Sequence, residues 1–256
     1  MGRSPSRTRG PVNAAAFCLL LTTPRTGSHL LMSALAVQGA VLLAEYTNPY
    51  RDRIRAAGRI DPEVRAALLA DIAAADASRA KSRIAELGAR SFAATGTKLF
   101  PAELELIARD WGTLERFFAQ PRVRLLRLRR RDLAAQAVST HVARQTRRWF
   151  AYRDDAPALD ERLAYDEAAL LAIVADIERG EAILDRHVGA PSEAVLDIDY
   201  ETLVRRPGPT IRAVQAHCGL PVTDEGELEL PQLFRKQADA RSEALAQRLR
   251  RALEAR

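Results

Sequence analysis

The stretch FCLLLTTPRTGSHLLMSALAV, beginning at Phe17, constrains the fold more than any other part of this chain. Phe17 to Leu21 is apolar without alternation, and threonines and a proline end it. Phe17 to Thr22 therefore reads as a strand buried on both faces, as in a parallel sheet. Ser28 to Val37 then carries the pattern of a buried helix. Such a strand–turn–helix unit leaves the first N–H groups of the helix without intrahelical partners. Those groups, at the positive end of the helix dipole, attract anions. Gly27 lets a ligand approach the backbone closely. Thr26, Ser28 and Thr22 can add hydroxyls, and Arg25 adds a fixed, bidentate charge. TTPRTGSH therefore has the chemistry of a phosphate cradle. On these residues alone, a helix N-cap with an incidental arginine fits as well. The kinase type of P-loop, GxxxxGKS or GxxxxGKT, does not fit, because its first glycine and its lysine are both missing.

The rest of the chain alternates strands and helices. A strand is expected at Val41–Leu43, followed by a polar loop. Asp61-Pro62 opens an alanine-rich helix to about Ala73, with aspartate as N-cap and proline in the first turn. Further helices are expected at Ser78–Leu87, Glu103–Arg109 and Gly112–Phe118, and strands at Ala93–Leu99 and Val123–Leu128. Arg131-Asp132 starts a helix to about Trp149, and Glu167–His187 is a long amphipathic helix. A strand ends near Ile198 and gives way to a loop, with Asp199, Tyr200 and Glu201 fixing that loop. Pro209–Cys218 is the last core helix, and Pro231–Arg256 begins as loop and ends as charged helix. The 256 residues show no internal repeat and no Gly/Pro-rich linker. They predict one α/β domain, a central parallel sheet flanked by helices, over residues 14–256, preceded by a disordered basic tail at 1–13.

Charge sharpens the reading. The formal net charge is +6, and nearly all of the positive charge is arginine, the lysines being Lys81, Lys98 and Lys236. A basic chain suits an anionic partner. Arg129, Arg130 and Arg131 stand together at the end of the fourth expected strand, with Ser139 two helical turns later. On an open helix such a triplet is a solvated face. At a strand end beside another anion site it indicates a second phosphate. Two separated anion sites suit a nucleotide phosphorylated at both ends of its ribose. An arginine-rich nucleic-acid binder would need a basic face with stacking aromatics, and aromatics are only 5% of this chain.

Cys18 and Cys218 fall in apolar patterns and read as buried, reduced thiols, with no metal-ligand spacing around them. The N-terminus imitates a secretory signal, with basic residues before an apolar run. That run, Ala14 to Leu21, is short and has no A-x-A cleavage pattern. With no apolar segment of the ~18 residues that spanning needs, a cytoplasmic protein without a membrane span is expected.

PRTGSHLL, AEYTNP, GTKL, LRRRDLAAQAVS followed by RQTRRW, DYETLVRRP and RKQAD occur in that order over roughly Phe17 to Asp239. Together they resemble the bacterial trehalose 2-sulfotransferase-like family. The resemblance implies a P-loop-like sulfotransferase fold and the donor 3′-phosphoadenosine 5′-phosphosulfate (PAPS); no metal is expected, since Arg25, the helix N-terminus and Lys98 supply positive charge where a kinase holds Mg²⁺. It implies that Arg25, Thr26, Gly27, Ser28 and His29 hold the 5′-phosphosulfate. Arg130 and Ser139 would hold the 3′-phosphate, with Arg129 open as an alternative to Arg130. The acidic residue after the second strand falls on Glu45, the implied general base on the acceptor hydroxyl. Lys98 would face the same cleft, and Arg235 and Lys236 sit where such enzymes close a C-terminal loop over the donor. His29 stands where many members have threonine, and Thr47 where an aromatic is common, which alters the wall beside Glu45.

The function expected is in-line sulfuryl transfer from PAPS to a hydroxyl of a carbohydrate or glycolipid-type acceptor, with Glu45, Arg25 and Lys98 catalytic. His29 and His141 are rival bases. Gln145 and Trp149, one helical turn apart, are expected to share a packed face. A metal-dependent nucleotide kinase, a donor-binding protein without activity and a homodimeric state all remain open at this point.

Overall fold

Every residue of β1 (Phe17–Thr22) is buried. Alternation sends Cys18 and Leu20 to one apolar cluster and Leu19 and Leu21 to another, so both faces of the strand are covered. The computed structural model describes residues 17–38, 40–44, 53, 56, 62–64, 66–67, 94–110, 123–149, 164–188, 195–222 and 240–255. After β1 come α1 (Ser28–Val37), β2 (Val41–Ala44), β3 (Ala94–Leu99), α2 (Pro101–Asp110), β4 (Val123–Arg129) and α3 (Leu133–Thr146). They are followed by α4 (Glu167–Val188), β5 (Val195–Asp199), α5 (Tyr200–Arg205), α6 (Pro207–His217) and α7 (Ala240–Glu254). The strands form one sheet in the order β2-β3-β1-β4-β5, with every pairing parallel.

This order decides where a ligand can sit. From β1 the chain goes to β2 at one edge, returns to β3, and then crosses β1 to reach β4 and β5 on the other side. In open α/β sheets, the crevice at such a reversal, beyond the carboxyl ends of the strands, is the binding site. Here it opens beyond the ends of β1, β3 and β4. Leu31 and Leu35 of α1, Leu203 of α5 and Ile211 and Val214 of α6 cover one face of the sheet. Leu104 of α2 and Leu184 of α4 cover the other. Gly180 of α4 allows that helix to sit close. A Cβ there would lie 3.0 Å from the Thr23 side chain and 3.1 Å from Pro101. Beyond this layer, α3 packs against α4 and α7 through Val138, Ile173 and Leu249.

Several boundaries differ from the sequence-based expectations. β4 extends to Arg129, because Arg129 pairs with Asp199 of β5. α2 begins at Pro101, where the Glu103 carboxylate accepts the Phe100 N–H at 3.0 Å. α3 ends at Thr146, with Arg147 in the left-handed region, and Trp149 is 46% exposed. The shared face expected for Gln145 and Trp149 therefore does not exist. Gln145 instead lies 2.9 Å from His141 Nε2. The loop expected after β5 is a short helix, α5, anchored by the single buried residue Leu203. α6 starts at Pro207, which fills the first helical position. The tail at 1–13 and the helices expected at Ser78–Leu87 and Gly112–Phe118 lie outside the described residues. So does most of the helix expected from Asp61 to Ala73; residues 62–64, 66 and 67 of it are helical.

Cys18 and Cys218 are buried free thiols with sulfurs 3.1 Å apart, joining the first strand to the end of α6. The hydrogen bond with Cys218 and burial push the Cys18 thiol well up. Among the described residues, no helix is long and apolar enough to cross a membrane.

The corner between β4 and α3 is held by two carboxylates. Asp132 caps α3, accepting the Ala135 N–H at 2.9 Å, and is gripped by Arg250 of α7 at 2.6 Å. Glu201 of α5 accepts the N–H groups of Arg131 at 3.1 Å and Asp132 at 3.2 Å. Burial pushes Glu201 up, but its own N–H, those of Asp132 and Arg131, and the charge of Arg130 outweigh that and hold it below 4.5. A carboxylate depressed by folding stabilises the fold above its unfolded value, and that contribution is lost as pH falls through the folded value. Glu201→Gln should therefore lower stability at pH 7 by about 1 kcal/mol, the difference between charged and neutral hydrogen bonds. In urea titrations the gap should close as pH falls below 4.5. A gap that shows no dependence on pH anywhere in the acid limb would show that the carboxylate charge is not what holds the corner.

Candidate functional site

β1 runs into Thr23-Pro24-Arg25-Thr26-Gly27 before α1 begins. Arg25 (φ 65°) and Gly27 (φ 84°) are both left-handed. For arginine that conformation costs about 1–2 kcal/mol, so something must impose it. Three side chains do. Gln136 of α3 is 1% exposed, and its amide donates to Thr23 Oγ1 at 2.9 Å and to the Pro24 carbonyl at 2.7 Å. Arg130 donates to the Arg25 carbonyl at 3.3 Å. Ser139 Oγ accepts from Arg25 Nε at 2.9 Å. All described peptides are trans, and in a trans peptide the C=O of one residue and the N–H of the next point in opposite directions. With the Pro24 and Arg25 carbonyls held from α3 and the end of β4, the N–H groups of Arg25 and Thr26 face away from them. Successive backbone N–H groups presented by a turn of this kind form an anion-binding concavity. α1 begins beside it without a side-chain cap and without an acidic residue in its first turn.

The threonine hydroxyls are used differently from expectation. Thr22 and Thr26 are both fully buried. Thr22 donates to the Leu128 carbonyl at 2.9 Å, Thr26 donates to the Thr23 carbonyl at 3.1 Å, and the two hydroxyls touch. They brace the turn from inside, so Thr26 offers the cleft its backbone rather than its hydroxyl. Ser28 is buried and His29 half-buried at the start of α1.

The arginines at the end of β4 and just after it go three ways. Arg127 and Arg129, two apart on β4, turn toward α4. Arg127 pairs with Asp185 at 2.7 Å and with Asp197. Arg129 lies 2.9 Å from Glu181, an ion pair whose angle is too poor for a hydrogen bond, and also pairs with Asp185. Arg129 is thus neutralised away from the cleft. Arg131 lies outward, 58% exposed, 3.6 Å from Glu201. Arg130 takes neither course. No carboxylate pairs with it among the described residues, its Nε is buried without a partner, and its guanidinium stacks over the Tyr200 ring at 4.8 Å. That ring also lies against Gly27.

Arg25, Arg130 and Ser139 therefore form one cluster. The residues expected to form two separate anion sites are contiguous, because β1 and β4 are adjacent strands about 4.8 Å apart. Burial, together with the charge of Arg130, pushes Arg25 down to about 10. The pair thus carries an electrostatic cost that an anion would relieve.

Lys98 lies one residue before the end of β3, in register with Leu20, and is 2% exposed. Its ammonium is 3.4 Å from His29 Nε2 and 4.8 Å from the Phe100 ring centre. It is part of the floor beneath α1. His141 is 5% exposed and lies against Gln145 and the Ala164 carbonyl, on the α4 side of α3. Glu45, directly after β2, and Arg235 and Lys236 lie outside the described residues. Among the described residues no group of three or more His, Cys, Asp or Glu could hold a metal ion.

Gln136 and Glu181 were not singled out from the sequence. Glu181 accepts from Thr23 Oγ1 at 2.8 Å and so ties α4 to the turn. An interior glutamine and one of many helix carboxylates carry no distinguishing local pattern; only their partners mark them.

The chain matches the family model described as Stf0 sulphotransferase over residues 17–252. Among solved structures, a sulfotransferase from Alicyclobacillus acidocaldarius is 16% identical, with TM-score 0.46 and 93% of each chain covered. The sulfotransferase domain of the Synechococcus PCC 7002 olefin synthase is 16% identical, with TM-score 0.45, covering 98% of this chain and 91% of that one. Mouse sulfotransferase SULT7A1, complexed with PAP, is 14% identical, with TM-score 0.39. The match covers 83% of this chain and 62% of the mouse chain. No curated protein matches.

The packing of Tyr200 on Gly27 gives a direct test. A Cβ on Gly27 would lie 2.4 Å from Tyr200 Cδ2, on a backbone at φ +84°. Gly27→Ala should cost more than about 2 kcal/mol, combining the clash with a left-handed penalty of about 1–2 kcal/mol. In a Tyr200→Ala background only the second part should remain. Urea unfolding of the double-mutant cycle should show coupling of at least ~1 kcal/mol, and additive losses would exonerate the ring.

Proposed function

The chain belongs to the Stf0 sulphotransferase family, and on that premise we propose that it moves a sulfuryl group from PAPS to a hydroxyl of a carbohydrate or glycolipid-type acceptor. The observation that carries the donor assignment is the convergence of Arg25, Arg130 and Ser139 beside an uncapped helix start. Two guanidinium groups held within one cluster, one of them pushed down by burial and by the other's charge, suit a ligand with several negative charges.

In this reading the backbone of Arg25 to His29 receives the 5′-phosphosulfate, Ser28 adds a hydroxyl, and Arg130 with Ser139 receives the 3′-phosphate. Arg25 lies between them and serves both. Lys98 stands below α1 with its charge directed toward His29, where it stabilises charge developing on the leaving phosphate. Arg235 and Lys236 close over the donor. Glu45, past the carboxyl end of β2, removes the acceptor proton. Catalysis is then mainly positioning and charge stabilisation, as in phosphoryl transfer. A cytoplasmic setting and a homodimer belong to the same proposal.

The nucleotide part is tested by calorimetry. Adenosine 3′,5′-bisphosphate should bind well above AMP. Arg130→Ala should erase the difference, by the ~1.5–3 kcal/mol of a charged hydrogen bond. Equal affinity of the wild type for both nucleotides removes the 3′-phosphate site.

The reaction is tested by incubating PAPS with hydroxylated acceptors and following the gain of one sulfuryl group by mass spectrometry. Turnover should survive EDTA. Activity that is lost to EDTA and restored by Mg²⁺ would favour the kinase alternative.

The base is tested with Glu45→Gln, which keeps the shape and removes the proton acceptor. It should lower kcat by roughly 10²–10⁴-fold with donor affinity unchanged. Near-normal turnover, with activity lost in His29→Ala or His141→Ala, would reassign the base.

A further inference from the structure

We propose that Gln136 is a positioning residue for the 5′ end of the donor, an inference that rests on the PAPS reading above. Its side chain sits on α3, three residues before Ser139, and is almost fully buried. Both amide hydrogens are spent on the β1–α1 turn, one on Thr23 Oγ1 and one on the Pro24 carbonyl. Thr23 in turn donates to Glu181 of α4, so its hydroxyl is fixed in orientation and must accept from Gln136. A hydroxyl has one proton to give, and this chain of bonds has one direction.

The Pro24 carbonyl is the decisive contact. Holding it toward α3 aims the N–H of Arg25 the opposite way, into the concave side of the turn. The same bond holds the peptide that precedes the left-handed Arg25. Without it, the Pro24–Arg25 peptide can rotate and the N–H groups lose their common focus, while the Arg25 side chain stays held by Ser139. Arg130 and Ser139 hold the next peptide and the Arg25 side chain, so they position the turn from its 3′-phosphate side. Gln136 works from within, and only on the peptides that face the 5′ group. A neutral amide fits this place because it donates twice without adding charge beside Glu181 and Arg129.

The consequence is specific. Loss of Gln136 weakens whatever binds at the 5′ position and leaves the increment from the 3′-phosphate intact, the converse of Arg130→Ala. The experiment measures binding of adenosine 3′,5′-bisphosphate and of AMP to wild type, Gln136→Leu and Gln136→Glu, with melting curves of the unliganded proteins. Glutamate keeps the shape and, when ionised, donates nothing. Both variants should remain folded and bind both nucleotides roughly tenfold or more weakly, with the ratio between the nucleotides as in wild type. Wild-type affinity for both in either variant overturns the proposal and leaves the donor reading standing. Loss of the ratio alone overturns it too, by placing Gln136 at the 3′ end. If neither variant folds, the residue is structural and the proposal falls. If the wild type binds neither nucleotide, the donor reading itself is wrong.

Discussion

The site depends on parallel pairing of β1 with β3 on one side and β4 on the other. Because all three strands run the same way, their carboxyl ends meet at one edge. The turn after β1, Lys98 near the end of β3 and the arginines closing β4 are therefore brought within side-chain reach. The pairing is held in place by burial on both faces. A one-residue slip would turn Leu20 and Leu21 toward the wrong clusters.

That convergence creates an electrostatic problem, since it collects cations. The fold resolves it unevenly. α4 presents Glu181 and Asp185, one helical turn apart, to Arg129 and Arg127, with Asp197 of β5 completing the set. Carboxylates thus neutralise the arginines that face α4. Arg130 instead receives an aromatic ring, which costs it no charge and keeps its guanidinium available. Arg25 bears the consequence, pushed down by burial and by Arg130. Two neighbouring strands thus contribute one neutral face and one cationic face, and the cationic one lies beside the uncapped start of α1.

Tyr200 connects this arrangement to the backbone. It lies at the first position of α5, against Gly27 and under Arg130. The next residue, Glu201, holds the amides at the start of α3. The short helix after β5 therefore fixes both halves of the cluster. The sequence-based expectation that Asp199 to Glu201 fix a loop had the right residues in the wrong secondary structure. Six residues with one buried apolar position carry too little periodicity to announce a helix.

Several features followed from the sequence alone: strand β1, the turn, helix α1, the alternation of strands and helices, and the candidate residues at two strand ends. Each is local. A continuous apolar run, a proline and a glycine at fixed offsets, and a charge triplet before an N-cap aspartate are visible within a few residues of one another. Tertiary structure alone decided the rest, because it depends on contacts between residues far apart in sequence. Arg129 and Arg130 are indistinguishable as neighbours in a triplet. Strand pleating sends one to the carboxylates of α4, and the end of the strand frees the other to stack on Tyr200, 70 residues later. The residues expected to hold two separate anions lie 105 positions apart, Arg25 and Arg130, yet adjacency in the sheet brings them together. The buried amide of Gln136 acquires its meaning only from the carbonyl that packing brings to it.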